Sequence, residues 1–453
     1  MSLFSSLRRE QKEAIGLLQI GTFLEYFDLM LYVHMAVLLN ELFFPKTDPT
    51  NAQLLSAFAF CSSFAFRPIG AYIFGKIGDT IGRKTTVIIT TSIMSISCLI
   101  MAALPTYDQI GISAAWIVTI CRIAQGLSSM GEVIGAQVYL TEMVKPPLQY
   151  PVVGIVSISS AFGPMAALGV ATLTTMYMLN WRYAFAFGAL IAIVGAVART
   201  KLKESYEFAD MQKRMRKAIE DAHEQGVGNA AELLLKTKRS FMGKIPWLTT
   251  FAYFATGIGW PACFYFSYMH CGNLLKTKFN FSGEEVIAHN FKISILYTLV
   301  CLIIVFLTRT INPLKIVKFR SFIFLLGLLP TVFIGTHPES SLQVTCLQIF
   351  CLMFSLITFP ADPIIFSHFP IFRRFTCVTM SYALSRSLMY LVTSFGLVYL
   401  TEWFGEVGLL MIFLPCAIGS LWGIHHFEKL EKQFEILTNA KEAGDLISLS
   451  PAS

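Results

Sequence analysis

Apolar runs long enough to cross a bilayer recur along this chain and constrain it more than any motif does. A membrane-spanning helix needs about 20 mostly apolar residues. Reading the runs between polar, glycine-rich and proline-rich breaks gives twelve: 17–40, 52–76, 84–105, 110–142, 150–177, 181–200, 247–272, 288–309, 318–336, 342–366, 374–401 and 404–426. Only 14% of the 453 residues are charged and 55% are apolar, whereas a soluble globular chain carries about 25% charged residues. That leaves too little polar surface to cover soluble cores. Continuous runs also exclude an outer-membrane barrel, whose strands alternate over about ten residues. The expected fold class is an all-α membrane protein.

Six runs precede a polar stretch over 201–246, which contains KRMRKAIEDAHEQ, and six follow it. The expected organisation is a six-helix bundle over 1–200, a central loop over 201–246, a second bundle over 247–426 and a tail over 427–453. Charge orients it. If successive runs alternate in direction, 27 of the 35 Lys and Arg fall on one side, and only Lys46, Arg182, Lys276 and Lys278 on the other. The positive-inside rule then puts both termini and the central loop in the cytoplasm. This topology accounts for the net charge of +7 and needs no nucleic-acid partner. The basic central loop reads either as a contact with anionic lipid or as a solvated topogenic loop. The charged start, MSLFSSLRREQKEAIG, is unlike a cleaved signal. The ten Cys form no Cys-x-x-Cys pair and read as apolar packers, not metal ligands. No Gly-x-Ser-x-Gly, His-Glu-x-x-His or Walker loop occurs, so no enzyme is expected, and ATP hydrolysis by this chain cannot power transport.

One motif is specific. After the second run the chain reads Gly75-Lys76-Ile77-Gly78-Asp79-Thr80-Ile81-Gly82-Arg83-Lys84. So short a connection between two helices needs glycines to turn. Asp79 sits where it can meet a helix N-terminus or a cation. With six runs on each side of a central loop, this motif resembles the signature loop of the major facilitator superfamily. GTFLEYFDLMLY, FRPIG, RIAQGLSSMGEVIGAQVYLTE, NWRYAFAFGAL and LKESYEF resemble, more narrowly, the metabolite:proton symporters of that superfamily, which carry proline or betaine, citrate, 2-oxoglutarate and shikimate. The likeness covers about 190 residues of the first half. In the second half, FPADPIIFSHFPIFRRFTCVTMSYALSRS resembles the connection between spans 10 and 11. The resemblance implies two pseudo-symmetric six-helix bundles that rock about a central cavity. It also implies a cytoplasmic gate containing Gly75, Gly78, Asp79, Gly82, Arg83, Lys84, Glu142 and Glu204. The corresponding second-half loop, RTINPLKIVKFR, has neither Gly nor Asp.

Charges inside the runs are the functional candidates, because burying an ionisable group in a bilayer is costly. At about 1.5 Å per residue, Glu25, Arg67 and Glu132 fall at similar depth, and Asp28, Arg122 and Arg386 lie nearer the midplane. Two readings fit: a proton and substrate site, or ion pairs that fix helix orientation. On the first, Asp28, Glu25 and Glu132 exchange the proton and Arg122 and Arg386 hold a substrate carboxylate, as Arg does well. Asp362, between Pro360 and Pro363, suits a gate. His34, His289 and Lys292 read as packed or snorkelling groups. Tyr26, Tyr32, Trp260 and Tyr265 can box a cationic group, or serve as ordinary membrane aromatics. Gly257 and Gly259 allow the seventh span to bend.

Together these readings predict a monomeric, multi-pass carrier of the bacterial inner membrane, without cofactor or metal. It takes up a small zwitterionic or anionic metabolite by alternating access, with protons as the coupling ion. The alternatives are an uncoupled facilitator or exchanger, and a membrane sensor that keeps the fold without transport.

Overall fold

The computed structural model describes residues 7–34, 39, 42–44, 63–176, 180, 182–224, 243–336, 338–393, 400, 403–405 and 407–448. Among them the chain is helical, with no strand. The first half comprises α1 (Arg9–His34), α2 (Arg67–Thr80), α3 (Arg83–Ala103), α4 (Ile112–Glu132), α5 (Ile134–Met143), α6 (Gln149–Met176) and α7 (Arg182–Arg199). A polar amphipathic helix, α8 (Tyr206–Glu224), leads away from it. The second half comprises α9 (Trp247–Gly257), α10 (Gly259–Phe264), a π-helical turn (Tyr265–His270), α11 (Cys271–Phe279), α12 (Gly283–Leu307), α13 (Pro313–Thr336), α14 (Ser341–Met353), α15 (Asp362–Ser367), α16 (Ile371–Leu391) and α17 (Val407–Ser448).

Among the described residues, six helical stretches are long and apolar enough to cross a membrane. Outward surfaces are apolar both on these and on shorter apolar helices: Leu299, Leu302, Ile303 and Phe306 form an exposed stripe on α12, and Tyr183, Phe187, Leu190, Val194 and Val197 form one on the shorter α7. Such stripes have no place on a water-soluble surface but suit lipid contact. Polar residues inside apolar helices satisfy themselves locally. On α3 the hydroxyls of Thr86, Thr91, Ser95 and Ser97 each donate to the carbonyl one turn back, which removes the cost of bare hydroxyls in hydrocarbon.

Only the part of the second span from Ser63 onward lies among the described residues. The seventh and tenth expected spans depart from a simple rod. The seventh breaks at Ile258 between α9 and α10, then widens into the π-helical turn. Gly257 and Gly259 flank the break because each faces a close neighbour. A Cβ would lie 2.7 Å from Ser385 Oγ at Gly257 and 2.3 Å from Leu356 Cβ at Gly259. The tenth span is interrupted: α14 ends at Met353, and 354–361 is non-helical before α15 begins. Pro360 and Pro363 cannot supply helical N–H donors. Arg320 of α13 compensates the freed acceptors, donating to the carbonyls of Met353 (3.0 Å) and Phe359 (3.1 Å) and to Ser355 Oγ (2.9 Å). The two halves meet along α2 against α16 and α6 against α12, which places a cavity on the seam. The last helix, α17, runs past the expected end of the twelfth span to Ser448.

Candidate functional site

The cavity on the seam draws its walls from both halves. Tyr26 of α1 and Tyr382 of α16 bring their hydroxyls to 3.2 Å across it. Trp260, Phe264 and Tyr268 line it from the seventh span, four residues apart and so on one helix face. Trp260 stacks on Tyr297 of α12 with ring centroids 5.5 Å apart. Arg386 of α16, 4% exposed, projects into the same space. Its guanidinium lies 4.7 Å from the Tyr382 ring centroid, and among the described residues its Nε and Nη1 have no hydrogen-bond partner. Asp362 lines the cavity from the start of α15. Its carboxylate accepts from the Thr358 hydroxyl and, at 3.4 Å, from the Gln137 amide of α5.

A second cluster lies within the first half. Asp28 Oδ2 accepts from Arg122 Nη1 at 3.1 Å, and Asp28 Oδ1 from the Cys98 thiol at 3.5 Å. Arg122 also donates to Gln125 Oε1 at 2.8 Å and lies 4.2 Å from the Tyr32 ring centroid. Beside it, Glu25 pairs with Arg67 at 3.4 Å, and Arg67 lies over the Phe64 ring. The four charges line one cleft. Residues of similar expected depth thus meet, Glu25 with Arg67 and Asp28 with Arg122, but depth alone named neither pair. Arg122 meets Asp28, and the aromatic cavity is lined by Arg386 and Arg67 instead. Tyr32 lies beneath Arg122, and Tyr265 packs against an apolar cluster of the second half. Phe264 and Tyr268 take the wall position that Tyr265 was expected to hold. The side chains of Glu132 and His34 lie outside the described residues.

At one end of the bundles the glycine-loop residues form a latch between the halves. Gly82, the turn between α2 and α3, has φ +140, and a Cβ there would lie 2.0 Å from Glu204 Oε2. Only glycine gives both that backbone and that clearance. Glu204 caps α3 by accepting from the Arg83 and Lys84 backbone N–H groups at 2.9 and 3.3 Å. Gly75 and Gly78 let α2 approach α16: Cβ atoms there would lie 2.9 Å from Thr376 Cα and 2.8 Å from the Phe375 ring. Asp79 crosses the seam, accepting from the Phe375 and Thr376 backbone N–H groups at 3.1 and 2.9 Å. Arg83 is fully buried. It makes two bonds of 2.9 Å to Glu142, one of 3.3 Å to Asp79, and one of 2.6 Å across the seam to the Ile371 carbonyl. Two-pronged pairing and full satisfaction make such a charge tolerable in the interior.

The motif did not foretell everything in the latch. Arg374 of α16 reaches back to Glu142 at 3.2 Å and to Glu207 of α8 at 2.8 Å. Phe208 of α8 stacks 4.3 Å over the Arg83 guanidinium and packs edge-on against Phe372. The Arg373-Arg374 pair in the connecting sequence was the available signal. Nothing in α8 marked Phe208 as a partner. Among the described residues no cluster of His, Cys, Asp and Glu has a metal-binding arrangement.

Comparison with known proteins gives one answer. A family profile described as Major Facilitator Superfamily matches residues 18–396. The inner membrane metabolite transport protein YhjE of Escherichia coli K12 is 35% identical over 202 residues, 43% of this chain and 46% of that protein. The proline/betaine transporter of the same strain is 32% identical over 205 residues, 44% of this chain and 41% of that protein. Each match therefore spans less than half the length of the curated relative. The solved proton:xylose symporter XylE of E. coli, bound to 6-bromo-6-deoxy-D-glucose, superposes with a TM-score of 0.74 at 13% identity, covering 91% of this chain and 95% of that one. At that identity the likeness is one of fold.

Proposed function

The chain belongs to the Major Facilitator Superfamily, a family of multi-pass membrane transporters and not enzymes, and from that premise we propose that it is a proton-coupled symporter of a small metabolite carrying a carboxylate, zwitterionic or anionic. The observation that carries this reading is Arg386, a buried cation in a cavity between the two halves with two of its nitrogens unpartnered among the described residues. An unpaired buried charge is costly, and a carboxylate is the planar partner that guanidinium matches best. Tyr26 and Trp260 bound the ligand from the two halves.

Coupling belongs to the cluster in the first half. Asp28 exchanges the proton, Arg122 is its switchable partner, and Glu25 and Glu132 take part in the same exchange. A carboxylate beside Arg is held ionised, and one facing a dry cavity without that partner is protonated. Rocking of the halves that alters the Asp28–Arg122 contact therefore loads and releases a proton. In this reading the latch and both termini face the cytoplasm of a bacterial inner membrane, as the Lys and Arg distribution supports. The protein works as a monomer, with the latch closed while the cavity is loaded from outside.

Proteoliposomes test this with labelled glycine betaine, L-proline and 2-oxoglutarate. At least one should accumulate only under an inward proton gradient. Asp28→Asn should keep exchange but lose accumulation by at least about tenfold, since it removes the proton's site and leaves the cavity intact. Arg386→Gln should lose binding by about 10–100-fold, the loss of one charge-assisted bond. Equal accumulation with and without the gradient would overturn the symport.

A further inference from the structure

Asp362 was expected to sit at a gate, yet it shares a cavity wall with Arg386. The two opposite charges do not pair with each other. The Asp362 oxygens are held by neutral donors, the Thr358 hydroxyl and the Gln137 amide. Among the described residues Arg386 keeps Nε and Nη1 unpartnered. Both side chains are about 95% buried. The two charges attract across the cavity but make no direct bond, and a ligand that brings both complementary charges can meet each of them at close range.

We infer that Asp362 is the specificity residue of this cavity. It selects a zwitterion whose carboxylate lies on Arg386 and whose ammonium or methylated ammonium group lies toward Asp362, and it excludes dicarboxylates. This rests on the reading of Arg386 as the carboxylate acceptor and narrows that reading from two substrate classes to one. A dicarboxylate satisfies Arg386 but sets its second carboxylate against Asp362, an unfavourable like-charge contact. A zwitterion meets both. The rings of Tyr26, Tyr253, Trp260 and Tyr297 line the same cavity, and ring faces attract a desolvated ammonium group, methylated or not.

The local fold holds Asp362 in place for this role. It restarts the helix after the non-helical stretch 354–361. Arg320 fixes that stretch through Met353, Ser355 and Phe359. Discontinuous membrane helices present charged and backbone groups to substrates in this way. A carboxylate held from Thr358 on its own segment and from Gln137 in the opposite half is set before the ligand arrives, so its charge discriminates instead of adapting.

Competition binding to the purified full chain in detergent tests the inference with glycine betaine and L-proline (zwitterions), 2-oxoglutarate (a dianion) and propionate (a carboxylate with no cation). The wild-type chain should bind a zwitterion about 100-fold more tightly than 2-oxoglutarate. Asp362→Asn should erase most of that ratio, by weakening zwitterions and strengthening 2-oxoglutarate, and Asp362→Glu should restore part of it. A wild-type preference for 2-oxoglutarate, an unchanged ratio in a normally melting Asp362→Asn, or no zwitterion binding at all would each overturn it. If Asp362→Asn does not fold, the wild-type ratio alone decides. Arg386→Gln separates the two levels. If it still binds every carboxylate normally, the reading of Arg386 has failed. If it loses them all while Asp362→Asn leaves the ratio untouched, only the role of Asp362 has failed.

Discussion

Glu204 caps a helix that is not its own. Its carboxylate takes the Arg83, Lys84 and Ser205 backbone N–H groups, which α3 and the following turn would otherwise leave bare. Burial pushes its carboxyl above the ordinary Glu value, and the backbone N–H groups and Arg83 only partly oppose that rise. The folded protein therefore disfavours the ionised form. Below the ordinary Glu range, about pH 4.3, this costs nothing, and the cost grows as pH rises through the raised value. Glu204→Gln is uncharged at every pH and lacks that slope. Its melting temperature should gain on the wild type as pH rises from about 4 to 7, and parallel profiles would show that Glu204 titrates normally. In sequence, Glu204 was legible as a latch residue because LKESYEF resembles the family's exit from the sixth span. The identity of its acceptor role was not, since backbone N–H groups leave no mark in a pattern of side chains. The same limit hid Asp79's contact with Phe375 and Thr376 on the far half.

Hydropathy located the apolar elements but not where they break. The run 342–366 is as apolar as its neighbours, and only Pro360 and Pro363 hinted that α14 would stop short. What makes the break affordable is Arg320, which lies near the start of the run 318–336 and was not among the candidate charges. It is 5% exposed within α13. A side chain reaching three groups on another span is a tertiary fact, and no local window contains it. Arg320→Leu leaves the carbonyls of Met353 and Phe359 without that donor at a depth where water is scarce. At about 1–3 kcal/mol for each group left unsatisfied, the variant should lose about 2–5 kcal/mol and melt several degrees lower in detergent. Arg320→Lys, with three donors on a point charge, should recover part of the loss. If Arg320→Leu melts with the wild type, the non-helical stretch is held by something else. The seventh span was more legible. Gly257 and Gly259 announced a bend, and the chain does break between them. The expectation fell on Tyr265, whereas Phe264 and Tyr268 line the cavity, where the seventh span passes into a π-helical turn.

For the whole molecule, the latch and the cavity sit on the same seam, so opening one end must be balanced against binding at the centre. The latch is asymmetric. The first half supplies Asp79, Arg83 and Glu142, and the second answers mainly with the Ile371 carbonyl, the start of α16 and Arg374. The glycine-poor loop RTINPLKIVKFR contributes no counterpart that the first half uses in the bonds above. Instead α8 closes the assembly, with Phe208 on Arg83 and Glu207 on Arg374. Arg374 is thus the second-half charge on which the closed arrangement turns. Removing one partner from a buried charged network costs about 3–5 kcal/mol, and each 1.4 kcal/mol of bias between two states is tenfold in population. Arg374→Ala should therefore raise the open fraction at this end at least about tenfold, with Arg374→Lys in between. Spin labels at Lys76 and Lys318, in a chain freed of its natural cysteines, read this as a longer inter-half distance. Zwitterion binding should shorten that distance again if the ligand favours the closed latch. A distance distribution identical to wild type, in a variant that melts normally, would mean that the bonds from Asp79 and Arg83 to the α16 backbone hold the gate without Arg374.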